Sequence, residues 1–177
     1  MPVEWGSNQP GMQAGEQLHG YERETAERLW LQARDSMVTF ARALEGLGLH
    51  KQVTNRLLEP FMWHTILVTS SEWENFFAQR CSTQAQPEIR VAAEAMRRAL
   101  RASTPRLVDY GYWHTPLIDA ETAREIGDDV GTRKRVSVAR CARVSYLTHD
   151  GVRSVAADLA LYDRLMSADP PHWSPLE

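Results

Sequence analysis

The chemistry open to this chain starts with one arginine. Trp73, Phe76, Phe77 and Arg80 recur at steps of three and four, which on a helix returns to one side, so a cation extends an aromatic stripe. A guanidinium offers a fixed fork of donors, suited to an anion or to the planar polar edge of a ligand at the rim of a core. A plainer account fits the same position. In the final turn of a helix the charge of Arg80 suits the dipole, and its stem can lie along apolar surface with its head in water. Asn75 and Gln79, four apart on an adjoining face, add neutral donors and acceptors.

The familiar catalytic constellations are missing from the sequence. There is no Gly-x-Ser-x-Gly elbow, Walker-type phosphate loop or His-Glu-x-x-His, and Gly46-x-Gly48 lacks the third glycine of a dinucleotide turn. Those two glycines read instead as a helix C-cap. Cys81 and Cys141 lie far apart without a Cys or His at metal-ligand spacing, which argues against a zinc site. No His falls near Cys81 to activate it, so a buried or incidental thiol is the better reading.

These residues need elements to hold them. Met1 to Gly20 is rich in glycine and proline and reads as an irregular lead-in. From Glu22, the residues Ala26, Trp30, Ala33, Met37, Phe40, Ala41 and Leu44 form one helical stripe. A short helical turn over Lys51 to Leu58 must end before Pro60, because proline disfavours the α conformation of the preceding residue. Phe61 to Thr69 is strongly β-branched and aromatic and fits either a buried strand or a core helix. Ser71-Glu72-Trp73-Glu74 has the capping-box pattern and predicts a helix start. Pro87 suits a first helical position, and Ile89, Ala92, Ala93, Met96 and Leu100 share a face as far as Ser103-Thr104-Pro105.

Pro105 to Gly131 is less regular, with an aromatic cluster at Tyr110 to His114 and one short helix near Ala120 to Ile126. Arg135 to Tyr146 fits either a strand or a helix with an arginine-bearing face. Val155, Leu159, Tyr162, Leu165 and Met166 mark a last helix, stopped by Asp169-Pro170-Pro171. The expected fold class is α+β and mainly α-helical, in one domain over residues 21–177.

At 177 residues the chain can own a core, and 43% hydrophobic with 24% charged residues fits a globular protein. A net charge of −3 argues against a dedicated nucleic-acid binder. Arg133-Lys134-Arg135 with Arg140 and Arg143 is a short basic run of the kind that usually forms a solvated face. No targeting segment and no apolar run long enough for a bilayer is present, so a reduced, cytoplasmic protein is expected.

Several runs together resemble the flavin-dependent thymidylate synthases. Asn55-Arg56-Leu57-Leu58-Glu59-Pro60, Ser71 to Arg80, and Ala85-Gln86-Pro87-Glu88-Ile89 resemble that family's C-terminal half. There, an Asn five residues before an Arg, then Ala-Gln-x-Glu-Ile, helps hold flavin and uracil nucleotide. Ala139 to Tyr146 and His172-Trp173-Ser174-Pro175-Leu176-Glu177 resemble the family's Ala-Arg-Val-Ser and His-x-Ser/Thr-Pro-x-Glu segments, which in ordinary members come first. The order resembles a permuted branch. The family's Arg-His-Arg signature does not occur in these 177 residues, and the chain stops at Glu177 where members continue with a His. A truncated or fragmentary gene product is expected.

The resemblance implies an activity that methylates dUMP to dTMP, with carbon from methylene-tetrahydrofolate, FAD as cofactor and NADPH as reductant, and a homotetramer. It implies that Arg56 and Arg80 contact dUMP, with Arg80 the catalytic residue at the uracil edge. Asn75, His172 and Ser174 would contact FAD, His172 over the flavin ring and Ser174 toward a neighbouring subunit. Thr69, Ser71 and Gln84 depart from the family, standing where Asn, Arg and His are common on the flavin. Without the signature segment, positioning suffers first, so this chain alone should have little or no synthase activity. The competing reading is a non-catalytic helical module that assembles with other chains through exposed aromatic surface.

Overall fold

The computed structural model describes residues 1–144 and 153–171. It divides into two compact units: Met1–Trp63 with Glu72–Ser103, and His64–Ser71 with Thr104–Glu177. Seven α-helices are present among the described residues, and no strand. The strand component of the expected α+β class is therefore corrected for these residues. One isolated antiparallel bridge, between Gly6 and Gln17, is the only β pairing among them.

In the first unit, α1 (Gly20–Gly46) follows the predicted stripe. Its end is a Schellman motif: Leu49 N–H donates to Leu44 O at 3.1 Å and Gly48 N–H to Glu45 O at 2.9 Å. Gly48 holds φ +82°, so one of the two expected C-cap glycines does the work of reversal, while Gly46 is still helical. Helix α2 (Lys51–Thr54) and the 3₁₀ turn Asn55–Leu57 pack on α1, and a second 3₁₀ turn, Glu59–Phe61, takes in Pro60.

Residues 3–18 form a bridged loop. Leu18 N–H donates to Trp5 O at 2.7 Å, Ser7 N–H to Glu16 O at 2.8 Å, and Trp5 N–H to Gln17 Oε1 at 2.7 Å. Trp30 of α1 meets Trp5 edge-on at 6.2 Å and Phe61 at 5.4 Å, so the aromatic payload ties loop, helix and turn together. Glu4 is ion-paired with Arg90 on α4 (Pro87–Ala102).

Helix α3 (Glu74–Arg80) packs on α4, which has Pro87 at its start as predicted and Ala93 fully buried. The capping box is not used. Trp73, not Ser71, sits at the N-cap, without a side-chain cap bond. Phe61 to Thr69 is neither of the two alternatives: after Phe61 the chain is irregular through Ser70.

The second unit is built on α5 (Ala120–Ile126), α6 (Val130–Ala142) and α7 (Val155–Ser167). Each has a polar N-cap: Asp119 accepts from Thr122 N–H at 2.8 Å, Asp129 from Thr132 N–H at 3.0 Å, and Ser154 from Ala157 N–H at 3.3 Å. The open alternative at Arg135 to Tyr146 resolves as helix through Ala142. Val136, Ser137, Ala139 and Arg140 form its buried face, against α7 and α5. No helix among the described residues is long and apolar enough to cross a membrane.

Candidate functional site

Arg80 is the last residue of α3 and is exposed. The aromatic part of its stripe forms a mutual cluster. Trp73 stacks on Phe77 at 5.8 Å and 22°, while Phe76 meets Trp73 at 5.8 Å and Phe77 at 5.5 Å, both edge-on. All three rings are half-buried, and the exposed Arg80 guanidinium has no hydrogen bond or ion pair within the described residues. An exposed, unpaired guanidinium retains all five donors for a ligand.

Asn75, on the same helix, is also exposed and without a hydrogen-bond partner there. Arg56 lies on the 3₁₀ turn after α2, exposed and unpaired. Arg56 therefore rides on the α1–α2 packing, and Arg80 and Asn75 on the α3–α4 packing, all within the first unit. His172 and Ser174 lie outside the described residues, as do Ser145 and Tyr146. Gln84 is exposed in the turn between α3 and α4, where its N–H donates to Ser82 Oγ at 3.2 Å.

A groove of about 400 Å³ runs between α3 and α4, lined by Trp73, Glu74, Phe77, Leu100, Arg97 and Arg101. Arg80 does not line it. Arg97 and Arg101 are four apart on α4, and neither has an ion pair among the described residues. Sequence reading followed the apolar face of α4 and missed this pair. Its signal was there, in two arginines one turn apart in a helix bounded by Pro87 and Ser103.

The basic run of the second unit is engaged internally. Arg133 donates to Gly127 O at 2.8 Å, Lys134 Nζ lies 4.6 Å from the Trp113 ring centroid, and Arg135 pairs with Asp163 at 2.5 Å. Arg140 is 1% exposed. It donates through Nε to Asp158 Oδ2 at 2.8 Å and through Nη1 to Leu117 O at 2.9 Å and Thr122 Oγ1 at 3.0 Å. Arg143 donates to the other oxygen of Asp158.

Leu117 presents its carbonyl from a backbone with φ +64°, a left-handed conformation that a leucine adopts only when its surroundings fix it. Asp119 lies 3.9 Å from Arg140 Nη1 and is ion-paired with Arg153. The Thr122 N–H and then the Arg153 guanidinium hold its carboxyl well below the usual aspartate range. Cys141 has its thiol pushed up by burial, against a smaller opposing effect of the Ser137 hydroxyl, which leaves it a poor nucleophile at neutral pH. Among the described residues no cluster of His, Cys, Asp or Glu has the makings of a metal site.

The chemistry of the first unit is thus a pair of exposed, uncommitted arginines with an amide nearby in sequence. The family model described as thymidylate synthase complementing protein matches residues 14–106. The chain belongs to that family. The match spans α1 to α4 and contains Arg56, Asn75 and Arg80, so the resemblance to flavin-dependent thymidylate synthases is upheld over this part of the chain. No curated protein and no solved structure matches the chain.

Proposed function

We propose that the protein takes part in the reductive methylation of dUMP to dTMP, with methylene-tetrahydrofolate as carbon donor, in the cytoplasm and as a homotetramer. The observation that carries this reading is the family match over α1 to α4, with Arg56 and Arg80 inside it and both guanidinium groups without a partner among the described residues. Arg56 and Arg80 bind the nucleotide. Arg80 addresses the uracil edge, where its forked N–H groups face carbonyl oxygens and orient the ring for reaction.

The residues present fit an FAD contact at Asn75, whose exposed amide has no partner among the described residues. His172 and Ser174 complete the flavin contacts in this reading. FAD, when bound and reduced by NADPH, supplies the carbon and hydride transfer that would otherwise call for an attacking cysteine, which agrees with the raised thiol of Cys141. The Arg-His-Arg signature is not in this sequence, so turnover by the 177 residues alone is slow or nil.

The test is titration calorimetry with dUMP, alongside an absorption spectrum of the purified protein. Saturable dUMP binding with a flavin band supports the reading. Absence of dUMP binding to wild-type protein supplied with FAD sinks it.

A further inference from the structure

Arg97 and Arg101 are the two cations of the α3–α4 groove, and among the described residues no carboxylate answers either of them. Arg101 is exposed in the last turn of α4, where its charge suits the helix dipole. Arg97 lies a turn earlier and is half-buried, so the dipole does not account for it. Four apart on one helix the two guanidiniums are neighbours, and like charges at that spacing oppose each other.

The rest of the lining has the chemistry of a binding site. Trp73 and Phe77 line the groove from α3, half-buried and with their rings stacked at 22°, and Leu100 adds apolar surface from α4. Such rings take up a further flat ring well. Glu74 lines the same α3 wall, exposed and without an ion pair to either arginine. Its carboxylate accepts N–H groups and disfavours a dense polyanion. At about 400 Å³ the groove has the size of a small-molecule pocket.

We propose that the α3–α4 groove binds a small molecule that joins a planar, N–H-bearing aromatic ring to one or two acid groups. The ring lies against Trp73 and Phe77, and Arg97 and Arg101 take the acid groups through their forked donors. The C-terminal end of α4 carries about half a negative charge, which two guanidiniums outweigh. Two sources share this chemistry: a nucleotide with its phosphate, and an aromatic amide bearing carboxylates. A phosphate draws both guanidiniums to one centre, whereas two carboxylates give each its own. The groove contains none of Arg56, Asn75 and Arg80, so the inference goes beyond the proposed function and is tested apart from it.

The test is titration calorimetry of the full chain with AMP and, separately, with p-aminobenzoylglutamate, at low ionic strength. At least one is expected to saturate with a Kd below about 1 mM, and which one does so identifies the acid group. Arg101→Glu should weaken that binding at least ~10-fold. Glu74→Gln, which keeps an acceptor and loses the repulsion, should tighten it roughly 2–5-fold. Both positions are exposed, so the helical circular dichroism stays as in wild type. No saturation by either probe up to about 5 mM overturns the inference. Saturable binding that Arg101→Glu leaves as tight as wild type also overturns it. dUMP is titrated into the same variants: loss in Arg80→Ala and not in Arg101→Glu keeps the two sites distinct. Loss in Arg101→Glu and not in Arg80→Ala sinks the role of Arg80 and upholds the groove.

Discussion

Arg140 Nε donates to Asp158 Oδ2 at 2.8 Å with both side chains withdrawn from solvent, 1% and 0% exposed. The pair joins α6 to α7, and Leu117 O and Thr122 Oγ1 fill further donors of the same guanidinium. Taking two charges out of water is costly, so the geometry stabilises the unit only because the carboxylate is matched by two arginines and three of the Arg140 donors are answered. Arg143, at 26% exposure, shares Asp158 from the solvent side and leaves its buried Nε unpaired.

Asp158→Ala should therefore cost about 3–5 kcal/mol, since it strands one fully buried guanidinium and a second partly buried one. Arg143→Ala should cost less, because Arg140 still answers the carboxylate. Chemical denaturation of both variants, read as midpoint at constant slope, checks the order.

Arg80→Ala and Arg56→Ala should each lower dUMP affinity by roughly 10–100-fold, the worth of a hydrogen bond to a charged group. Neither should shift the melting temperature appreciably, because both side chains are exposed and have no partner among the described residues. Calorimetry and a thermal melt on the same samples separate the two effects.

Gly48→Ala should destabilise the first unit by about 1–2 kcal/mol, because φ +82° forces a Cβ into the left-handed region at the Schellman reversal. Open space surrounds the position, so the cost is in the backbone alone. Gly46→Ala, in regular helix, should stabilise slightly instead. Urea titration of the pair of variants reads the difference in sign.

Asp119 gives the second unit an acid-sensitive contact. Its folded-state pKa is depressed, so its contribution is fully present above the ordinary aspartate pKa and is lost as pH falls through the folded value. Asp119→Asn keeps a cap acceptor and loses the attraction to Arg153 and Arg140. The stability gap between wild type and variant should be constant near neutrality and shrink as pH falls below about 4. Denaturation midpoints across a pH series test this.

Helices that run on local pattern were legible in the sequence. The stripe from Ala26 to Leu44, Pro87 at the start of α4, and the short helix at Ala120 to Ile126 all stand as read. The capping box failed because a Ser three residues before a Glu is a local possibility, whereas packing of Trp73 on Phe76 and Phe77 settles where the helix begins. The basic run that includes Arg140 reads as a solvated face because an arginine in sequence carries no mark of its partner. Asp158 held the matching signal, one carboxylate between Val155 and Tyr162 on an apolar stripe, the same anomaly that drew attention to Arg80 on α3. At the candidate site, the identities of Arg56, Asn75 and Arg80 are legible from motif, but their lack of partners among the described residues is a tertiary fact that no spacing encodes.

The Glu4–Arg90 ion pair gives the first unit an order of events. Helix α1 can form from neighbours in sequence, but the loop over residues 3–18 is held to α4 by groups 86 positions apart, so its docking waits until most of the unit has been synthesised. The beginning of the chain is thus a late-arriving clasp on α4, the helix against which α3, with Asn75 and Arg80, packs, and hydrogen exchange at the Val3 amide, which donates to Glu88 on α4, would time its closing.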